Sequence, residues 1–153
     1  MSMIRTFQAA KTLCELSGWK LSNLPLQKLL YLSHMYHLGE YNEPLIDGEF
    51  QAWDLGPVEP TLYRQVKAYG DKPIQDVFRV GPVAPTTTEY EALAEIYDEL
   101  GDRRPSSLVA ITHEDHGAWA RYYNPNVNGI VIPNRAIRQE FNERRQRANN
   151  NRN

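Results

Sequence analysis

One stretch of the chain constrains its fold more than any other, because it predicts a helix that is apolar nearly all the way round. Residues 26–38 place apolar side chains on more than one helical face: Leu26, Leu29, Leu30, Leu32, Met35 and Tyr36. A surface helix keeps its apolar residues in one stripe, so this helix is expected at the centre of the molecule. Pro25 suits the first turn of such a helix, and Gly39 predicts its end.

The other helices are predicted by the spacing of apolar residues and by the residues at their ends. They fall at residues 3–17, 59–69, 88–100 and 105–111, with a turn or two at 115–121 and a last helix from Pro133. Thr88 and Glu91 have the spacing of a capping box, in which each side chain satisfies a free backbone N–H at the start of a helix.

A small β element is predicted after the central helix. Residues 49–53 alternate in polarity, and the Asp-Gly pair at 47–48 signals a tight turn before them. The Gly-Pro pair at 56–57 is expected to close this strand. Residues 74–80 predict a second short strand, and residues 130–132 an extended segment.

These elements predict an α+β, mainly helical fold: a single compact domain of about six to seven helices with a small antiparallel β element. No repeat or linker divides the sequence, so residues 1–147 are expected to form one domain. Residues 148–153 have no apolar side chain larger than alanine to bury, and we expect them to be a frayed polar tail.

Composition excludes several classes of protein. No apolar run approaches the ~20 residues that a membrane span needs, and the first residues lack the apolar core of a signal peptide, so a cytoplasmic protein is expected. Phosphate-loop, nucleophile-elbow and dinucleotide-binding motifs are all missing. Cys14 lies in the first amphipathic helix, where a buried, inert thiol is expected. The sequence therefore predicts a protein that is not an enzyme and needs no cofactor.

The four histidines form two pairs at a spacing of three residues. Zinc binding by His34, His37, His113 and His116 is one hypothesis. Against it, the segment from His113 to His116 is one residue too short for the HExxH motif, so Glu114 would not be placed as its general base. We predict no metal site, and we expect His34 and His37 to be hydrogen-bonded residues of the core.

Charge is distributed unevenly along the chain. Between Lys28 and Arg64 there are six acidic residues and no basic one, whereas residues 133–153 hold six arginines and two glutamates. The acidic stretch is either a solvated surface or a docking surface for a basic partner. Nucleic-acid binding by the arginine-rich last helix is an alternative, but the isoelectric point near 6.1 argues against it.

Several sequence blocks resemble one family. They are LQKLLYL at residues 26–32, FQAWDLGPV at residues 50–58, and a later group formed by Leu108, Thr112, His113 and Trp119. Together they resemble the Panacea domain, also called the SocA-like antitoxin domain, over most of residues 5–141. The resemblance assigns these positions to the family motif and to the structure: Lys28, Leu29, Leu30, Tyr31, Gly56, Pro57, His113 and Trp119.

The resemblance implies an antitoxin of a toxin–antitoxin system, associated with prophages, that neutralises a cognate toxin by direct protein contact. The toxin partners implied are diverse and include alarmone-synthetase-like enzymes. The alternative is a proteolytic adaptor that delivers a toxin or another client to a cytoplasmic protease. Neither implication involves a membrane.

Exposed aromatic and acidic residues are the expected partner contacts, because aromatic side chains dominate binding hot spots. We predict this role for Tyr36, Tyr41, Glu43, Trp53 and Asp54. Trp53 is also open to interpretation as a determinant of the fold.

Lys28 is the one basic residue within the apolar helix at 26–38. A buried ammonium group is costly without a counter-ion, so an acidic partner is expected. Asp54 and Glu59 are the candidates.

Overall fold

The computed structural model describes residues 5–152, which contain seven α-helices, one 3₁₀ turn and a three-stranded sheet. The helices are α1 (Thr6–Leu16), α2 (Asn23–Tyr41), α3 (Pro60–Val66), α4 (Thr88–Leu100), α5 (Pro105–Thr112), α6 (Ala118–Tyr122) and α7 (Asn134–Asn150). The 3₁₀ turn, Lys67–Tyr69, follows α3 directly. The strands are β1 (Phe50–Trp53), β2 (Gly56–Val58) and β3 (Val131–Ile132). The expected α+β, mainly helical fold of one compact domain is confirmed.

Helix α2 is the centre of the molecule, as predicted. Thirteen of its 19 residues are buried, and it packs against α1, α3, α4, α5, α7 and β2. One continuous apolar core surrounds it.

The sheet is antiparallel, with the strand order β2-β1-β3. Trp53 of β1 pairs with Gly56 of β2, so the hairpin turn consists of Asp54 and Leu55 alone. On the other side, Phe50 pairs with Ile132 of β3, which brings the last part of the chain to the central strand.

The predicted end of α2 at Gly39 is wrong. The helix continues to Tyr41 and ends at Asn42, which adopts the left-handed conformation with φ 59°. Gly39 serves a different purpose: a Cβ atom there would overlap the ring of Phe141. Because Gly39 has no Cβ atom, α7 can approach α2 closely. In the sequence, this glycine looks the same as one that ends a helix.

The capping box predicted at Thr88 and Glu91 is also wrong, by one residue. Thr87 is the N-cap of α4, and its hydroxyl accepts a hydrogen bond from the Tyr90 N–H at 3.1 Å. The Thr88 hydroxyl instead bonds to His37, and the Glu91 carboxylate accepts from Tyr41. From the local sequence, Thr87 and Thr88 are equally good candidates for the N-cap. Contacts with other parts of the fold decide which of them caps the helix.

Two predictions about the strands need correction. The Gly-Pro pair at 56–57 does not close a strand but lies within β2, and the hairpin turn is at 54–55. The Asp-Gly pair at 47–48 forms a bend before β1, in agreement with the tight turn predicted there. Residues 74–80 form no strand; they are irregular, with Ile74 and Phe78 buried four positions apart. This segment is attached to the core by the Ile74 N–H, which donates to the Leu21 carbonyl at 2.9 Å.

Candidate functional site

A cleft of about 840 Å³ lies between the first turn of α2 and the β1–β2 hairpin. Its walls include the aromatic side chains of Trp53, Tyr63 and Tyr123. The segment 123–129, after α6, closes one side. Clefts of this size with mostly apolar walls are the usual binding sites of folded domains.

Exposed apolar side chains are concentrated at this cleft. Among the described residues, the large apolar side chains with high exposure are Leu55 at 57%, Val127 at 48% and Val131 at 39%. Leu55 and Val127 line the cleft, whereas Val131, on β3, does not. The hairpin turn thus presents Leu55 to solvent at the edge of an apolar depression.

A stack of three rings supports the hairpin from behind. The His113 ring lies flat on Trp119, with centroids 3.7 Å apart, and Trp119 stacks on Tyr123 at 4.6 Å. The Trp119 indole N–H donates to the Trp53 carbonyl at 2.7 Å, and the Tyr123 hydroxyl donates to the Asp54 carboxylate. These bonds hold the β1 side of the exposed turn, at Trp53 and Asp54.

Two further contacts hold the Trp53 side chain. Its ring meets Tyr63 edge-on, with centroids 4.8 Å apart, and its indole N–H donates to the Gln51 side chain at 2.9 Å. Trp53 is half-buried, which fits both a partner contact and a determinant of the fold. The aromatic wall of the cleft is therefore ordered before any partner arrives.

Lys28 lies in the wall of the same cleft, and the prediction of an acidic partner is wrong. The residue is 0% exposed, and its ammonium group donates to the Pro57 carbonyl at 2.8 Å. No carboxylate within residues 5–152 forms an ion pair with it: Asp54 bonds to Tyr123, and Glu59 caps α3 by accepting from the Thr61 N–H at 2.6 Å. Burial lowers the pKa of Lys28 to about 7.

The remaining motif residues lie around Lys28. Leu29, Leu30 and Tyr31 are fully buried in α2, and Gly56 and Pro57 are buried in β2. Burial raises the pKa of the Tyr31 hydroxyl well above its usual value.

Gly56 has φ +115°, in the region that favours glycine, and a side chain there would meet Thr112 and Lys28. His113, whose pKa is lowered by burial and by the nearby Lys28, has its Nε2 buried with no hydrogen-bond partner among residues 5–152.

The histidines of α2 are confirmed as hydrogen-bonded core residues. His34 accepts from the Leu45 N–H at Nδ1, so its Nε2–H donates to Asn134 at 2.9 Å. His37 Nδ1 lies 2.6 Å from the Glu43 carbonyl, to which it donates, and its Nε2 accepts from Thr88. Burial lowers the pKa of His34 to about 4. In the described part of the chain, no three His, Cys, Asp or Glu side chains are grouped as a metal site requires.

Three of the predicted contact residues lie elsewhere. Tyr36 and Tyr41 line a shallower depression between α2 and α4, where the Tyr41 hydroxyl donates to Glu91 at 2.7 Å. Glu43 follows α2 and is half-buried. The structure therefore brings Trp53 and Asp54 together in the cleft and separates them from the Tyr36 and Tyr41 surface.

The arginines of α7 are largely paired with acidic residues of the same molecule. Arg145 bonds to Glu40 at 2.7 Å, and Arg147 to Glu114 at 2.7 Å. Arg144 bonds to the buried Glu140 and to the Ile111 carbonyl. Of these pairs, Arg145–Glu40 joins the basic helix to the acidic stretch.

Sequence reasoning missed four residues of the cleft: Leu55, Tyr63, Tyr123 and Val127. Leu55 had a local signal, because an apolar residue in a two-residue turn must be exposed. Tyr123 follows Trp119 by four residues, the spacing at which helical side chains meet. The position of Val127 depends on the path of a loop, for which the sequence has no comparable signal.

Comparisons with known proteins identify the family of the chain. The family model described as Antitoxin SocA-like, Panacea domain, matches residues 26–120, from α2 to α6. The curated protein Antitoxin SocA of Caulobacter vibrioides (strain NA1000 / CB15N) is 34% identical over 136 residues, which cover 79% of this chain and 72% of that protein. No solved structure matches the chain. Within residues 5–152, no helix is long and apolar enough to cross a membrane. The match of the family model and the identity to this relative show that the chain belongs to the Antitoxin SocA-like, Panacea domain family.

Proposed function

We propose that this protein is the antitoxin of a toxin–antitoxin system and that it neutralises its toxin by direct contact, without catalysing a reaction. The family and its relative Antitoxin SocA support the antitoxin role. The observation that carries direct contact is the grouping of exposed Leu55 and Val127 around a cleft with aromatic walls. The protein is proposed to act in the cytoplasm, on a toxin such as an alarmone-synthetase-like enzyme.

The surface chemistry of the cleft supports a protein partner. Large exposed apolar side chains cost solubility, and their concentration at one concave site marks an interaction surface. Aromatic residues in a depression are the usual anchors of binding energy. Trp53 and Tyr123 are already fixed by hydrogen bonds, so little side-chain entropy is lost on binding.

The test uses the product of the adjacent reading frame as the toxin, with growth rescue and affinity as readouts. Val127→Asp puts a charge at the cleft and is expected to abolish rescue and weaken affinity by at least about tenfold, because a desolvated charge at an interface costs more than 1.4 kcal/mol. Val131→Asp makes the same change on an exposed valine outside the cleft and is the matched control. Equal effects of the two variants, with unchanged folding, would contradict a role for the cleft.

We also propose that Tyr36, Tyr41 and Glu43 form a second contact. The double variant Tyr41→Ala and Glu43→Ala is expected to weaken toxin binding while lowering the melting temperature only slightly, because both side chains are only half-buried. Isothermal titration calorimetry and thermal unfolding measure the two quantities. If this variant still protects cells fully from the toxin, Tyr36, Tyr41 and Glu43 do not form a toxin contact.

The fate of the toxin distinguishes neutralisation by binding from the adaptor alternative. A toxin that persists in a stoichiometric complex supports direct neutralisation. A toxin that disappears when this protein is present, and reappears in cells lacking cytoplasmic proteases, would support proteolytic delivery instead.

A further inference from the structure

The depression between α2 and α4 combines aromatic rings with carboxylates. Four tyrosines line it, two from each helix: Tyr36, Tyr41, Tyr90 and Tyr97. Three acidic residues of α4 line it as well: Glu91, Glu95 and Asp98. The lining residues, all within the described part of the chain, include no lysine, arginine or histidine. Its surface therefore consists largely of ring faces and negative charge.

The spacing of residues along α4 leaves space between two of the rings. Tyr90, Ala94 and Tyr97 follow one another at intervals of four and three residues, so they share one face of the helix. Ala94 contributes only a methyl group to the depression, which has a volume of about 810 Å³. A long side chain of a partner can therefore enter between α2 and α4.

The carboxylates of the depression are not neutralised by basic side chains of the same molecule. No lysine or arginine of residues 5–152 forms an ion pair with Glu91, Glu95 or Asp98. Burial and nearby carboxylates, those of Glu40 and Glu95 among them, raise the pKa of the Tyr36 hydroxyl. The depression therefore attracts positive charge.

An arginine of this chain shows the matching chemistry beside the depression. The Arg145 guanidinium lies over the Phe141 ring, 4.7 Å from its centroid, and bonds to Glu40 at 2.7 Å. Phe141 in turn meets Tyr36 edge-on, with ring centroids 6.0 Å apart. A ring and a carboxylate together hold a guanidinium here, and the depression offers both kinds of group again.

We propose that the α2–α4 depression binds an arginine side chain of the partner protein. The guanidinium packs against the rings of Tyr36 and Tyr90, and it donates hydrogen bonds to the Glu95 carboxylate. This inference rests on the proposed function in taking the toxin as the partner, and it specifies the chemistry of the second contact.

Arginine fits this surface better than other occupants do. An apolar side chain would displace water from the carboxylates without replacing its hydrogen bonds, and an acidic segment or a nucleic acid would be repelled. A lysine ammonium is a strongly hydrated point charge, whereas a guanidinium is planar, stacks on rings and has five N–H donors. Within residues 5–152, the carboxylates are not grouped as a metal ion requires.

The first experiment uses the protein alone with three small probes. N-acetyl-L-argininamide has the guanidinium, N-acetyl-L-citrullinamide has a side chain of the same length without the charge, and N-acetyl-L-lysinamide has the charge without the planar group. In ¹⁵N-edited NMR titrations at low salt, we expect the arginine probe to shift the Tyr36, Ala94 and Glu95 amide signals. It is expected to bind at least about threefold more tightly than either other probe.

Equal binding of the arginine and citrulline probes, or shifts confined to other surfaces, would overturn the proposal. Equal binding of the lysine probe would overturn the assignment to arginine.

Matched variants identify the groups responsible. Glu95→Gln removes a charge inside the depression, and Glu99→Gln removes the same charge one turn further along α4, at an exposed position that does not line it. We expect Glu95→Gln to lose most of the preference for arginine over citrulline and Glu99→Gln to keep it. Tyr90→Phe retains a ring and should keep the preference, whereas Tyr90→Leu should lose part of it. An unchanged preference in Glu95→Gln would contradict the assignment.

The last measurement uses the whole toxin. Each exposed arginine of the toxin is changed to glutamine, and its binding to the wild-type protein and to Glu95→Gln completes a double-mutant cycle. One arginine is expected to lose at least about fivefold in affinity for the wild type and much less for Glu95→Gln, because either change breaks the same contact.

Independent effects for every arginine would overturn the proposal and leave the proposed function intact. Absence of binding by the unmodified toxin would refute the proposed function instead, and the titrations with the arginine probe would still decide the chemistry of the depression.

Discussion

His34 connects three parts of the chain through one neutral ring. Its Nε2–H donates to Asn134 at the start of α7, and its Nδ1 accepts from the Leu45 N–H after α2. Both nitrogens are in use only while the ring is uncharged, because a second proton would replace the acceptor at Nδ1 with a donor. Protonation of His34 is therefore incompatible with this arrangement.

This bonding predicts an acid-sensitive fold. The pKa of His34 is lowered from 6.5 to about 4, so between these values the unfolded chain binds a proton that the folded chain does not. Stability is then lost as the pH falls from 6.5 towards 4, by up to about 1.4 kcal/mol per pH unit. Urea unfolding at several pH values measures the slope.

His34→Gln keeps a side-chain donor for Asn134 but does not titrate, and its slope is expected to be smaller. A residual slope will remain, because burial also lowers the pKa of His113. His116→Gln, at an exposed position, is the control and should match the wild type. An unchanged slope in His34→Gln would show that the acid sensitivity arises elsewhere.

Single residues differed in how far the sequence predicted their surroundings. The burial of His34 and His37 followed from their places in an apolar helix. The environment of Lys28 did not, because its acceptor is the backbone carbonyl of Pro57, and every residue has such a carbonyl. A sequence indicates that a buried ammonium group needs hydrogen-bond acceptors. It does not indicate which backbone carbonyl will be one of them.

At the scale of elements, α2 and α7 approach each other at Gly39. The Phe141 ring lies where a side chain on Gly39 would be, and Phe141 also meets Tyr36 edge-on at 6.0 Å. Arg145 lies over the same ring, 4.7 Å from its centroid. The absence of a Cβ atom thus sets the separation of the two helices.

Gly39→Ala is expected to destabilise the protein by about 1–3 kcal/mol, because the added methyl group forces the Phe141 ring from its place. The gain in helix propensity, about 1 kcal/mol, offsets only part of this cost. Gly81→Ala is the matched control, since no atom lies within 4 Å of the position of its added Cβ. Chemical denaturation compares the two, and Gly39→Ala combined with Phe141→Leu should recover part of the loss.

The spacing of apolar residues predicted most of the helices and strands, but it predicted their boundaries less well. Apolar spacing located α1 to α5, α7 and strand β1. The end of α2 was missed because a glycine that ends a helix and one that admits a neighbouring ring look alike in sequence. Residues 74–80 were mistaken for a strand because Ile74 and Phe78 are buried without regular hydrogen bonding.

At the scale of the whole molecule, one core serves every element, and we propose that residues 1–147 suffice to form it. Deleting residues 148–153 is expected to change the melting temperature by less than about 2 °C, because the described side chains of this segment are exposed. The ion pair between Arg147 and Glu114 remains in this variant. Calorimetry of the shortened chain measures the change, and a loss of cooperative unfolding would show that the segment belongs to the domain.

About half of the candidate site was within reach of the sequence. Trp53 and Asp54 were identified because they lie in a recognisable block beside a turn. Tyr123 and Val127 reach the cleft from a segment some 70 positions later, and Tyr63 reaches it from α3. The site is thus assembled by tertiary folding, which a local pattern cannot reveal.

The late position of α7 in the chain has a consequence for biosynthesis. Its residues complete contacts begun much earlier: Asn134 bonds to His34, Glu140 accepts from the Ala118 N–H at 2.7 Å, and Phe141 covers Gly39. A nascent chain therefore has one flank of α2 uncovered until α7 has emerged from the ribosome. During that interval the apolar side chains on this flank are accessible to chaperones.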